Sequence, residues 1–412
     1  MRPDVLVLGG GASGLAAAAA LGCRGARVLV LERNARVGKK LLATGNGRCN
    51  LSNADMRGEA YDNAAAFVSR LYDAIPCDTA LGFWRSLGLM TTEEDGRIYP
   101  RTMQAASALD VLRAACERSG VEFATEREVS RLSPSRHGGW TVTTADGSVF
   151  SAPAVIAAMG GSAAPQMGTD GSGARLLSTL GHTVTPLYPA LVQLRCDHPA
   201  LRSLKGVRAH AALSLYIDGQ EAAHEEGELL FADYGVSGVC VFQLSRFASP
   251  ALAEGRDVRL SIDFLPELEP GVGVAWLQAR LSTLSDASAQ SLFTGVLPRL
   301  VAQCVVRQAQ IPADIPAREL TAHQRRALLS TLRAFPLRVT GTQGFAQAQV
   351  TRGGVSLDEI DPSTMASRLF DGLYVVGELL DVDGPCGGYN LHFAVASALA
   401  AADDILNRVH RG

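Results

Sequence analysis

Two glycine-rich turns stand near opposite ends of this 412-residue chain. The first is Gly9-x-Gly11-x-x-Gly14, within "LGGGASGLAAAAALG". The second lies in "GPCGGYNLHFAVASALAAADDIL", from Gly384 to Leu406. Each runs into a stretch of helix formers. Glycine lets a backbone approach a ligand closely, and a helix start offers unpaired N–H groups and a positive dipole end to an anion. Glu32 follows Gly14 by 18 residues. At that distance an acid accepts hydrogen bonds from ribose hydroxyls, and its charge repels a 2′-phosphate.

The elements that must position these groups are legible around them. Val5 to Leu8 is a continuous apolar run, as a buried parallel strand requires. Leu15 to Leu21 is a helix former, Gly25 ends it, and Val28 to Leu31 makes a second buried strand closed by Glu32. Gly9 permits the tight turn, Gly11 the approach to a pyrophosphate, and Gly14 close packing of helix on strand. A lone GxGxxG means little, but strand, turn, helix, strand and acid together define a dinucleotide site. Gly9, Gly11, Ala12, Ser13, Gly14, Glu32 and Arg33 are its expected residues. This unit alone does not separate FAD from NAD.

A second segment, "VGKKLLATGNGRCNLSN", has neither helical nor strand period and reads as a long ordered loop. Lys39, Lys40 and Arg48 could meet phosphate or flavin carbonyl oxygens, with Thr44, Asn46 and Asn50 as further donors. The bland alternative is a solvated basic loop with turn glycines. Composition leaves both open.

The segment resembles the "GKKLLxTGxGRCNxTN" signature of a family of bacterial NAD(P)/FAD-dependent flavoproteins, some of them aminoacetone oxidases and one linked to bile-acid dehydroxylation. Further matches run along the chain. "DGRIYPRTMQAASALDVLR" is similar to the family's GRxFP segment, and "VIAAMGGSAAPQMGTDGSGARLLSTLGHTVTPLYPALVQL" to its ATGG…GH…PALV stretch. "GELLFADYGVSGVCVFQLS" and "VTRGGVSLDEIDPSTMASRLFDGLYVVGELLDVDGPCGGYNL" resemble two more of its motifs. The chain departs from the pattern at Val239, where the family has proline, and at Cys386 and His392, where it has Thr and Gln. If those side chains line the flavin pocket, the relatives' substrate preference does not carry over unchanged.

The resemblance implies a glutathione-reductase-type Rossmann α/β domain that binds FAD. It adds Lys39, Lys40, Leu41, Thr44, Gly45, Arg48, Cys49 and Asn50 on the flavin side. Ala154 to Met159 reads as a strand leading into Gly160-Gly161, so Met159, Gly160 and Gly161 lie close to the dinucleotide. Val129 sits near the adenine. Leu373 to Val376 is a last buried strand, ending at Gly377-Glu378. By resemblance Glu378 binds a ribityl hydroxyl, with Asp381 and Asp383 as helpers. Gly387 and Gly388 pass under the isoalloxazine, and the N–H groups of Tyr389, Asn390 and Leu391 point at its N1–C2=O edge. A helix dipole there stabilises reduced-flavin charge by on the order of 1 kcal/mol. His392, Cys49 and Cys386 read as packing residues first.

Residues 190–344 carry no second GxGxxG and read as an insertion into the FAD domain, formed by 1–189 plus 345–412. "HAALSLYIDGQEA", "GELLFADYG" and "DVRLSIDFLPE" are strand-like, giving a β-rich part over 190–270; 271–335 is helical. "EEGE", residues 225–228, reads as a solvated turn. The insertion should roof the flavin and choose the substrate.

Net charge is −3, so no nucleic-acid partner is expected. The 47% hydrophobic content contains no run long enough to span a membrane. Eight scattered cysteines, without CxxC or zinc spacing, fit a reducing cytoplasm and no metal. The expectation is an FAD-dependent oxidoreductase acting on a small molecule, with NAD(P)H or oxygen as second partner and no assignable catalytic acid or base. Its rivals are an NAD-only dehydrogenase, an FAD-dependent RNA-modifying enzyme, and a flavoprotein without turnover.

Overall fold

The computed structural model describes residues 2–135, 138–269 and 271–409. The chain forms two compact units, Met1–Tyr188 with Gln349–Gly412, and Pro189–Ala348. The outermost positions of the expected FAD domain, Met1 and 410–412, lie outside the described residues.

The first unit is built on a five-stranded parallel sheet. Its strands are β1 (Val5–Leu8), β2 (Val28–Leu31), β3 (Glu122–Ala124), β4 (Ala154–Ala157) and β5 (Leu373–Val375), in the order β5-β4-β1-β2-β3. β1 is central, pairing in register with β2 (Val5 with Val28) and β4 (Val5 with Ala154). With both faces covered, Val5, Leu6, Val7 and Leu8 are fully buried, which is why the strand reads as an unbroken apolar run. Three helices matter to the site: α1 (Ala12–Gly22), the short α2 (Lys39–Ala43) and the C-terminal α3 (Tyr389–Val409). α1 is buried from Ser13 to Gly22, and its alanines let it lie closely against α3. A hairpin of Trp140–Thr144 and Val149–Ala152 turns at Asp146-Gly147, as its sequence predicts.

The second unit is a closed six-stranded barrel. Around the barrel the strands are Leu194–Asp197, Gly235–Ser237, Gln220–Ala232, Arg208–Ile217, Val258–Asp263 and Phe335–Thr342. Leu213, Leu215, Phe231, Leu260, Ile262, Leu337 and Val339 belong to its buried core. Helices Val239–Ala253, Gly273–Thr283, Arg299–Gln308 and Ala322–Arg333 complete the unit. The last starts at a capping box, with Thr321 and Gln324 satisfying each other's backbone N–H.

Two expectations are corrected. Residues 225–228 are not a turn; they continue the strand Gln220–Ala232, paired with Arg208–Ile217. Glu226 and Glu228 are solvated because they lie on the barrel's outer face, where Glu226 meets His210 at 3.0 Å and Glu228 pairs with Arg208, while Glu225 alternates to the other face, opposite the buried Leu213. The Gly38–Asn53 segment is not wholly a loop; it holds α2 and a 3₁₀ turn, Thr44–Gly47. A helix of five residues is too short to print a period in the sequence.

Candidate functional site

A cleft of about 1250 Å³, its open mouth included, runs along the carboxyl ends of the parallel strands within the first unit. In an open parallel α/β sheet, ligands bind in this crevice. Its wall begins with the β1–α1 turn. Gly9 has φ +104°, and a Cβ there would collide with the Ala158 carbonyl at 2.5 Å. A Cβ on Gly14 would strike the Gly9 carbonyl, so Gly14 acts beneath the turn and does not touch the cleft. Gly11 is the helix N-cap. No side chain caps α1, and a Cβ on Gly11 would meet nothing within 4 Å. The α1 start is therefore bare toward the cleft.

Glu32, 7% exposed, stands at the end of β2. Its Oε2 accepts the Gly10 N–H at 2.7 Å. Its Oε1 accepts the Asn34 backbone N–H at 2.8 Å and the Asn34 side-chain amide at 2.7 Å. A carboxylate has about four lone-pair positions. Three are filled by donors that fix the group, which leaves capacity for a hydroxyl. Arg33 pairs with Glu128 at 2.9 Å and Asp170 at 2.8 Å. Burial raises the Asp170 carboxyl, but hydrogen bonds from Ser172 and Arg33 outweigh it and hold the group low, at about 2.

Of the residues expected from sequence, the cleft wall contains Gly9, Gly11, Ala12, Ser13, Glu32, Arg33, Lys39, Lys40, Leu41, Thr44, Val129, Met159, Gly160, Glu378, Asn390 and Leu391. The remaining ones stand outside it, each for a local reason. Arg48 lies over the Tyr99 ring at 4.8 Å and 3.6 Å from Glu94, on the surface. Cys49 is fully buried, which pushes its thiol up to about 11. Gly45 has φ +56° in the exposed Thr44–Gly47 turn, and a Cβ there would meet the Asn50 backbone nitrogen at 2.9 Å; Asn50 follows that turn. Gly161 is pressed against Thr351 and Gly377 against Ser13. Asp381 accepts from Thr185 at 2.9 Å and Asn63 at 3.0 Å; burial raises its carboxyl, and the Thr185 hydroxyl opposes the rise.

Gly387, Gly388 and Tyr389 likewise hold structure around the cleft instead of lining it. Gly388 has φ +99°, and a Cβ there would collide with the Ser52 carbonyl. The Asn53 amide donates to the Gly387 carbonyl at 3.0 Å. The Tyr389 hydroxyl donates to the Asp55 carbonyl at 3.0 Å. The C-terminal turn is thus docked on the end of the Gly38–Asn53 segment. Asn390 clamps it from inside, accepting from Gly384 N–H at 2.8 Å and donating to the Gly384 carbonyl at 2.9 Å. His392 is 1% exposed; its Nδ1 lies 2.8 Å from the Ser52 hydroxyl, and burial pushes it down to about 4.

Sequence reasoning missed Gly10, Leu31, Asn34, Gly38, Arg127, Glu128, Ala158, Met167, Gly168, Thr169, Ser172, Gln349, Val350, Val382, Phe393 and Ala394 in the wall. Several had a signal. Arg127 and Glu128 adjoin Val129, and Gly168-Thr169 lies within a motif already singled out. Ser172 lies within that same motif, whereas Gln349 carried no signal. All eight cysteines are free. Among the described residues no group of three or more His, Cys, Asp or Glu is placed to hold a metal, and no helix is long and apolar enough to cross a membrane.

The residues present fit an extended dinucleotide. The open Gly11 cradle, the bare α1 start and the fixed Glu32 carboxylate follow one another along one continuous wall. Fold and cleft together define a Rossmann-type dinucleotide-binding protein. Residues 3–404 match the HI0933-like protein Rossmann domain, and the chain belongs to that family. It is 40% identical over 398 residues to the 3-dehydro-bile acid delta(4,6)-reductase of Clostridium scindens, covering 96% of this chain and 97% of the relative. It is 30% identical over 415 residues to the ribosomal RNA dihydrouridine synthase of Escherichia coli, covering 98% of each. Among solved structures, the 3-ketosteroid delta1-dehydrogenase of Sterolibacterium denitrificans superposes with TM-score 0.52 at 15% identity, covering 99% of this chain and 100% of that one. At that identity the likeness speaks for the fold.

Proposed function

We propose that the protein is an FAD-dependent oxidoreductase that saturates a carbon–carbon double bond conjugated to a carbonyl group in a small organic molecule. One observation carries the reading: the dinucleotide cleft occurs in a chain 40% identical, over nearly its full length, to a reductase of that chemistry. A 3-dehydro bile acid unsaturated at positions 4 and 6 holds a ketone conjugated to its double bonds. The uridine ring that becomes dihydrouridine also holds a double bond beside a carbonyl. Both reactions add a hydride equivalent to one carbon and a proton to its neighbour.

FAD is favoured over NAD alone because the wall continues past the first glycine turn to Asn390, Leu391 and Phe393 at the start of α3. Bound there, FAD would supply the hydride chemistry that no side chain has. The chain's own residues bind and orient it. Gly11 and the α1 N–H groups take the pyrophosphate and Glu32 the ribose. Lys40 and Glu378 would hold its middle part, and the α3 amides would serve its pyrimidine end. The Asn390 clamp and the Gly388 turn hold those amides in place before any ligand arrives. NAD(P)H is the proposed reductant.

The test is spectroscopic. Purified protein should be yellow, or become so with FAD, and should bleach with NADH or NADPH in the absence of air. Adding a 3-oxo-Δ4 or 3-oxo-Δ4,6 steroid acid should restore the colour and remove the conjugated-enone absorbance. A colourless protein that cannot be reconstituted defeats the cofactor assignment. Reduced protein reoxidised by oxygen but inert to enones defeats the reaction assignment. A second reading, reduction of uridine in ribosomal RNA, draws on the 30% identical synthase. It predicts new dihydrouridine in rRNA incubated with the reduced protein, and inertness toward steroids.

A further inference from the structure

Lys40 and Glu378 are 338 positions apart in the chain, yet Lys40 Nζ donates to Glu378 Oε2 at 2.6 Å. Both side chains are 21% exposed, and both belong to the cleft wall. The second carboxylate oxygen, Oε1, accepts the Thr351 N–H at 3.0 Å. The Thr351 hydroxyl accepts the N–H groups of Ser162 at 2.7 Å and Ala163 at 2.9 Å. One run of polar contacts therefore joins α2, the turn after β4, the segment at Thr351 and the turn after β5. The neighbouring Lys39 does something different: its Nζ donates to the Gln166 carbonyl at 2.7 Å and is exposed.

We propose that Lys40 is a positioning residue for cofactor uptake. It neutralises Glu378 and fixes its carboxylate in the cleft, so that the two ends of the chain present one preorganised wall to the dinucleotide. The proposal rests on the FAD reading given above. The charge argument is direct. A dinucleotide brings two phosphates into a cleft lined by Glu32, Glu128 and Glu378 and by Arg33, Lys39, Lys40 and Arg127; Arg33 already pairs with Glu128, and Lys40 is the cation that meets Glu378. Removing one partner of a largely buried pair leaves the other as an uncompensated charge, which costs more than the pair itself contributes. A Glu378 stripped of Lys40 would repel the incoming phosphates and lose the geometry in which its remaining lone pairs meet a hydroxyl.

A lysine that touched a phosphate directly would give a different pattern, and that difference is the test. Deflavinated full-length protein is titrated with FAD, binding being read from quenching of flavin fluorescence. The set is wild type, Lys40→Met, Lys40→Arg, Glu378→Gln and the Lys40→Met/Glu378→Gln double variant. Lys40→Met should weaken binding on the order of tenfold, and Lys40→Arg should restore most of it. The double variant should bind several-fold tighter than Lys40→Met, because the uncompensated carboxylate is gone. Melting curves of the apo-proteins identify a variant that has lost its fold; Glu378→Gln and the double variant then still report the coupling. Unchanged binding in Lys40→Met overturns the proposal. So does a double variant no better than Lys40→Met, which would place the lysine on the ligand itself. Failure of wild type to take up FAD defeats the cofactor reading before Lys40 is at issue.

Discussion

Glu32→Gln is the substitution whose cost can be worked most directly from the structure. Three N–H donors converge on the two carboxylate oxygens: Gly10 on one side, the Asn34 backbone and side chain on the other. Glutamine has the same shape but one acceptor oxygen. In either amide orientation an NH₂ group faces a donor, Gly10 N–H or the Asn34 pair. A buried donor left unsatisfied costs roughly 1–3 kcal/mol, more when the lost acceptor was charged. That cost falls on the protein before any ligand is present, because the bonds lie within the fold.

For a folded unit of this size, 1 kcal/mol moves the melting temperature by roughly 2–4 °C. Glu32→Gln should therefore lower the melting temperature of the apo-protein by about 2–12 °C in a fluorescence melt. It should also weaken FAD, since the same turn carries Gly11. An apo-protein melting within a degree of wild type would refute the reasoning, because the hydrogen bonds would then contribute nothing net. Weaker FAD binding with an unchanged melt would mean that Glu32 acts only on the ligand.

His392 gives a pH prediction. Burial holds its folded pKa down to about 4, whereas the unfolded side chain titrates near 6.5. The unfolded state then binds the extra proton between these values, so stability falls as pH drops from about 6.5 to about 4, by at most about 1.4 kcal/mol per pH unit. His392→Gln should flatten the fall of melting temperature over that window; an identical slope in both proteins would count against it. Gly388→Ala combines a φ of +99° with a collision at the Ser52 carbonyl; it should destabilise by roughly 1–3 kcal/mol, seen in urea unfolding, and slow FAD uptake. Alkylation of native protein at neutral pH should mark the exposed Cys23 and spare Cys49 and Cys116, whose thiols burial pushes up to about 11 and about 12. Early labelling of Cys49 by mass spectrometry would show the Gly38–Asn53 segment opening.

The Rossmann core was legible because each of its parts obeys a short-range rule. β1 and β2 read as unbroken apolar runs since both sheet faces are covered, and the GxGxxG spacing records one turn and one helix start. The barrel was not legible as a barrel. Its strands could be seen singly, but closure depends on which strand lies beside which, and pairing across a hundred residues leaves no local mark. "EEGE" shows the same gap: three glutamates and a glycine look like a turn until the partner strand supplies Arg208 and His210. α2 escaped for want of length.

The site was legible as a set of segments and less so as a set of contacts. Residue types told which stretches gather at the cleft, but not which atoms face inward. Gly388 and Tyr389 are expected from the sequence to touch the ligand; the structure shows that they also dock α3 on Ser52 and Asp55. This resolves why the chain carries glycine-rich turns at both ends. The first presents a helix start to a ligand through bare backbone. The second lets a helix start approach the loop from residues 38–53 closely enough for Asn390 and Leu391 to reach the same wall. Between them stands Lys40, from the 38–53 segment, paired with Glu378, from the turn after β5. A turn that only bound ligand would tolerate a side chain pointing into open space, as Gly11 would. Gly388 would not, because protein already fills the place its Cβ would take. The two turns therefore predict opposite responses to alanine in the apo-protein: little change at Gly11 and loss of stability at Gly388.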